Sequence, residues 1–180
     1  MIDSRDLRVI ENRLGAFKNK APSIMSQAIN RATVTFNKVL AKETREEYHI
    51  KAKTIKKSLT VKKASRHSLG AEIKSIGGRL SIRDYKSTPT KEPRRRTTVK
   101  VAVRKDGPKL LLHAFVSETM GNHIFERKGR ARLPIRKIKG PAVPQLLKNR
   151  ETVKLANKEA LKTYKKRVDH GVDRSLGGGR

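Results

Sequence analysis

Apolar side chains recur at three- and four-residue spacing in some stretches of this chain and at two-residue spacing in others. In residues 3–14, Leu7, Ile10 and Leu14 share one helical face. Asp3 or Ser4 is placed to cap that helix, and Gly15 to end it. The strongest helical pattern starts after Lys20. Pro22 and Ser23 suit a first turn, and Ile24, Ala28, Ile29, Ala32, Phe36, Val39 and Leu40 form an apolar stripe. Met25, Ile29, Ala32, Phe36 and Leu40 are the expected core positions of this helix, with a stripe facing a neighbouring subunit as the alternative. Glu43, Glu46 and Glu47 near its end oppose the helix dipole, which favours cations there, so pairing with Lys or Arg from elsewhere is expected. Residues 50–65 read as a short basic helix and a turn, with Leu59-Thr60-Val61 leaning towards strand.

From about residue 68 the period changes. Residues 69–76 and 79–85 alternate across Gly77-Gly78, which predicts a hairpin. A second hairpin is predicted at 98–118. Val99, Val101 and Val103 share a face, Asp106-Gly107-Pro108 turns, and the nearly continuous apolar run KLLLHAFVSE reads as a strand buried on both faces. His123-Ile124-Phe125 suggests a further short strand. A last helical region runs from about Val143 to Val168, and residues 169–180 form a polar, Gly-rich tail for which flexibility is expected. The expected fold is therefore α+β. A long N-terminal amphipathic helix and a C-terminal helix pack on an antiparallel sheet of two hairpins, as a single domain over residues 1–168.

Composition changes this picture in one respect, which is charge. The 180 residues include 45 Lys and Arg against 16 Asp and Glu, a formal net charge of +29. Residues 51–150 hold 28 of the basic and six of the acidic side chains, so the middle of the chain carries most of the field. A segment so charged repels itself and becomes favourable opposite a polyanion or an acidic protein surface. Two stretches concentrate the effect. Residues 86–97 contain two prolines, Arg94, Arg95 and Arg96, and no apolar side chain, and read as a mobile loop. Residues 126–140 are basic and broken by Gly129, Pro134 and Gly140. Arg94, Arg95, Arg96, Arg127, Lys128, Arg130, Arg132, Arg136, Lys137 and Lys139 are the expected surface for a partner or DNA. The plainer alternative is a set of solvated loops, since exposed charges add little stability by themselves.

Catalytic chemistry finds little footing. Apolar content of 35% allows only a modest core, and no run approaches the ~18 apolar residues of a membrane span. The N-terminus carries acids and lacks the apolar region of a signal peptide. There is no Cys, hence no disulfide, no thiol nucleophile and no Cys-type zinc site. No phosphate-binding loop or His-Glu-x-x-His motif occurs. The five His lack metal-ligand spacing, and His113 reads as a satisfied core or interface side chain. Glu72, Asp84, Asp106 and Glu118 read as strand-edge or turn residues, too sparse for a two-metal nuclease. No cofactor, metal or enzymatic activity is expected. Aromatics make up 4% and sit in apolar patterns, so any nucleic-acid contact would be phosphate-led and blind to sequence.

Two blocks resemble a known family. One, AINRATVTFNKVLAKETREEYHIKAKTIKKSLTVKKAS at 28–65, opens a long helix on Ala-Ile-Asn-Arg and runs into a Lys-rich segment. The other, HAFVSETMGNHIFERKGRARLPIRKIKGPAVPQLL at 113–147, leads from a strand ending in Ala-Phe through Phe-Glu-Arg and a basic loop to a Gly-Pro-Ala-Val-Pro turn. Together they cover about 40% of the chain and resemble the bacteriophage minor tail protein Z family of tail completion proteins. The layout is also similar to phage tail-component and tail terminator-like proteins. The resemblance implies a non-enzymatic virion protein at the head-proximal end of the tail, present in the host cytoplasm during assembly. It would complete or cap the tube and enable head–tail joining as a ring of six copies. Its implied partners are itself, tail tube and neck or connector proteins with acidic surfaces, and genomic DNA in the lumen, with no membrane. The alternatives from the residues alone are a basic RNA-binding protein of ribosomal type, and a nuclease or nucleoid protein.

Overall fold

The computed structural model describes residues 4–95 and 97–177; a cap at Asp3 lies outside them. Helix α1 (Ser4–Leu14) is followed by a 3-10 segment over Gly15–Lys20 and by α2 (Ala21–Glu47). Then come α3 (Ala52–Ser58), β1 (Leu59–Lys62), β2 (Glu72–Ser75), β3 (Arg79–Ser81), β4 (Lys86–Thr88) and β5 (Val99–Ala102). They are followed by β6 (Lys109–Leu111), β7 (Ala114–Ser117), β8 (His123–Arg127), β9 (Ile135–Lys137), β10 (Lys139–Ala142), α4 (Val143–Leu146) and α5 (Arg150–Gly177). The class is α+β. The chain forms two compact units: residues 1–40, 59–74 and 150–180 make one, and residues 41–58 and 75–149 the other.

The first unit is helical. Ile10 and Leu14 of α1, Ile24, Met25, Ala28, Ile29 and Ala32 of α2, and Tyr164, Val168 and Val172 of α5 bury one continuous apolar cluster. Of the stripe positions on α2, Met25, Ile29, Ala32 and Leu40 are buried and Phe36 is half-buried. Gly171 sets the closest approach. A Cβ there would lie 2.6 Å from Cγ2 of Ile24, and a β-branched side chain on a helix has little rotamer freedom with which to yield. Asn30 ties in the segment after β1: its Nδ2 donates to the Ala64 carbonyl and its Oδ1 accepts the Ala64 N–H, both at 2.9 Å.

The second unit is mostly strand. β5 is central in the antiparallel sheet β4-β5-β6, and β8 in β7-β8-β9. β5 packs against β7, and α3 against α4. Ile55, Val99 and Ile124 are among its most buried side chains. Tyr85 is buried beside Gly140, where a Cβ would come within 2.6 Å of the ring, and the tyrosine hydroxyl donates to the Pro141 carbonyl at 2.8 Å. Two of the three acids near the end of α2, Glu46 and Glu47, find cations here. Arg104 meets Glu47 at 3.0 Å and Lys105 meets Glu46 at 3.8 Å, while the Lys105 N–H donates to the Glu47 carbonyl. Those contacts resolve the conflict between carboxylates and the helix C-terminus.

Several expectations need correction. Gly77-Gly78 does not close a hairpin: β2 pairs with β1, and β3 pairs antiparallel with β10, some sixty residues away. Alternation fixed the strands but not their partners. The second hairpin forms between β5 and β6, yet the apolar run after it is not one buried strand. It breaks at Leu112-His113 into β6, an edge strand with Leu110 57% exposed, and β7, which belongs to another sheet. His113 is exposed rather than part of the core. The last helical region is interrupted between Leu146 and Arg150, and α5 continues to Gly177, past the expected limit at Val168.

Replacing Gly171 with Ala adds about 1 kcal/mol of helix propensity but forces the Ile24 contact. The expected net result is a loss of about 1–2 kcal/mol in urea denaturation. Ile24→Ala in the same chain should recover part of that loss, so the two substitutions are less than additive. Tyr85 has its pKa pushed up to about 12, first by burial, then by the Asp84 carboxylate and by Tyr48. The neutral phenol is therefore favoured in the folded state. Its contribution is complete below the unfolded value of 10.0 and is lost as pH rises towards about 12. The stability of the protein relative to Tyr85→Phe should decline across that window and stay flat below it.

Candidate functional site

The two basic loops converge within the second unit. Pro89, Glu92, Pro93 and Thr97 line one side of a groove of about 840 Å³, and Arg127, Lys128, Gly129 and Arg130 line the other. Val99 of β5 and the stretch His113–Val116 complete the lining. The strands dictate this arrangement. β4 delivers the first loop beside β5, β8 delivers the second, and packing of β5 on β7 holds the two sheets together.

Neither loop hangs free. The Glu92 carboxylate accepts the Glu118 N–H at 2.7 Å, which ties the first loop to the end of β7. The Thr97 hydroxyl donates to the Arg95 carbonyl at 3.0 Å. The Arg127 guanidinium lies 5.2 Å from the centre of the Phe115 ring and donates to the Arg132 carbonyl. A guanidinium stacked on an aromatic face keeps its charge while its orientation is fixed. The expected loop at 86–97 thus begins with strand β4 (Lys86–Thr88), and the stretch after it is anchored at Glu92, although its composition suggested a free segment.

The sequence-predicted cations separate into groups. Arg127, Lys128 and Arg130 line the groove, and Arg94, Arg95 and Arg132 are exposed on the same two loops. Arg96 lies outside the described residues. Arg136 pairs with Glu126 across β8 and β9, so its charge is partly matched. Lys137 and Lys139 are exposed on β9 and β10, away from the groove lining. The only acid in the lining is Glu92, and its carboxylate is engaged by Glu118. The groove presents net positive charge without a compensating network, which is what an anionic partner requires. His113 in the lining was missed. Its position next to a chain reversal carried the signal, because a turn exposes a polar ring that a continuous buried strand would not.

Among the described residues no three His, Asp or Glu converge as a metal site requires, and no helix is long and apolar enough to cross a membrane.

The family model described as prophage minor tail protein Z (GPZ) matches residues 8–176. No curated protein and no solved structure matches the chain.

Glu92→Ala should free the first loop without unfolding the unit. Trypsin cleavage after Arg94 and Arg95 is expected to rise by about tenfold, for the loss of one charge-assisted hydrogen bond of about 1.5–3 kcal/mol. The melting temperature should change little. An unchanged cleavage rate would show that the Glu118 bond does not hold the loop.

Proposed function

As a member of the prophage minor tail protein Z family, the chain is a structural protein of a phage tail, and we propose that it completes the head-proximal end and prepares it for joining to the head. The observation that carries this reading is the family match across nearly the whole chain, from residue 8 to residue 176. No catalytic step is part of it. The loop groove is the proposed docking face for acidic surfaces of tube or neck proteins, and DNA in the tube lumen is the second candidate for the same charge.

Electrostatics supports an assembled rather than a solitary role. A copy carrying +29 opposes close approach of another copy. A closed ring, six copies in this proposal, is favoured only when acidic neighbours or DNA offset that repulsion. The same requirement orders the assembly. The ring would close on a tube end that supplies negative charge and stay open in solution.

Complementation of a phage lacking this gene provides the test. Arg94→Glu, Arg95→Glu and Arg96→Glu together should leave the melting temperature unchanged and lower plaque titre on the order of a hundredfold or more, because like-charge contacts at an interface cost several kcal/mol. Electron micrographs should then show filled heads and separate tails. In wild-type particles a label on the protein should mark the head-proximal end. Normal titre from the triple variant would remove the loop from the docking face, and a label along the tube or at the distal tip would overturn the position.

A further inference from the structure

A second groove lies in the helical unit. It has a volume of about 580 Å³ and runs between α2, the strand segment around Val61–Lys63, and the last turns of α5. Its cationic lining is Arg31, Lys63, Arg167 and Arg174, together with His170. Every one of these side chains is exposed, and among the described residues none of the four Arg and Lys forms an ion pair. No carboxylate lines the groove. Of the two acids beside these residues on α5, Asp169 is held by Arg13 at 2.8 Å, and Asp173, next to Arg174 in sequence, is exposed and outside the lining.

The rest of the lining narrows the kind of anion. Ile24, Ala28, Val34 and Val61 supply an apolar surface, and Val34 is 62% exposed although it sits on the core helix. Gly171, also in the lining, lets α5 pack directly on Ile24 at the floor of the groove. A phosphodiester backbone has nothing to place against such a surface, and no aromatic ring is present to stack a base.

We propose that this groove docks a short protein segment carrying apolar and carboxylate side chains together. The apolar side chains cover Val34 and Val61, and the carboxylates meet Arg31, Arg167 and Arg174. Arginine suits the carboxylate role because its planar fork can engage both oxygens. The partner is a virion or assembly protein with such a segment, and no residue of the loop groove takes part.

Fluorescence polarisation with the full chain provides the test. Three probes of matched net charge are compared at physiological salt: a helical peptide of Leu and Glu at amphipathic spacing, a poly-Glu peptide, and a short DNA duplex. The Leu/Glu peptide should bind about tenfold or more tighter than poly-Glu, since it alone buries the apolar surface. Arg31→Glu with Arg174→Glu should weaken that peptide by at least about tenfold. Lys158→Glu with Lys165→Glu changes the charge equally on the opposite face of α5 and should leave binding within about twofold. If the first pair lowers the melting temperature, Arg31→Gln with Arg174→Gln replaces it, with a smaller loss expected. Val34→Ser should weaken the peptide and leave poly-Glu unaffected. Absence of peptide binding, equal binding of poly-Glu, tighter binding of the duplex, or equal losses in the two charge-reversal pairs would each overturn the proposal.

Discussion

Uncompensated positive charge constrains nearly every part of this protein. With 45 cationic side chains against 16 acidic ones, most cations cannot find an internal partner, and the acids are placed where they do structural work. Glu46 and Glu47 fasten the end of α2 to Lys105 and Arg104. Glu92 fastens a loop, Glu126 steadies Arg136 on the neighbouring strand, and Asp169 links α5 to Arg13 of α1. Each pair is at least partly exposed and worth little in isolation. Their value is positional, because they fix loops and helix ends that carry the unmatched charge. Some of the cations outside these pairs line two grooves, one in each compact unit, and the rest are spread over the surface.

This distribution explains how a chain with so little apolar content can hold its shape. The helical unit concentrates its apolar side chains in one cluster shared by α1, α2 and α5, and small residues such as Ala28, Ala32 and Gly171 let the helices approach closely. The strand unit uses short pieces in separate small sheets, joined through Val99, Val116 and Ile124 on their inner faces. Charged residues stay on loops and outer helix faces, where water screens them until a partner arrives. Family membership places such a molecule in a phage tail, where partners are abundant and fixed in position.

The sequence displayed the helices clearly because helical period is local. Leu7, Ile10 and Leu14, and the stripe from Ile24 to Leu40, are read within a few turns, and the helices stand there. Strand pairing was less legible. Leu80 and its neighbours alternate correctly, but their partner is the Lys139–Ala142 segment, and nothing near Gly77-Gly78 encodes that choice. The run from Lys109 to Glu118 was ambiguous for a related reason: continuous apolarity does not say where a chain changes sheets. The basic loops were visible from composition, but their meeting in one groove depends on β5 packing against β7. The helical groove was hidden by arithmetic. Residues 151–180 nearly balance in total, with eight basic and four acidic side chains, while Arg167, His170 and Arg174 share a face without an acid.

Asn30 has a consequence for the segment that follows β1. Its amide occupies both the N–H and the carbonyl of Ala64, as the main chain of an adjoining strand would. Ala64 lies two residues past the end of β1 and is buried in the core, so its main chain has neither water nor a neighbouring strand to turn to, and a single side-chain amide meets both needs.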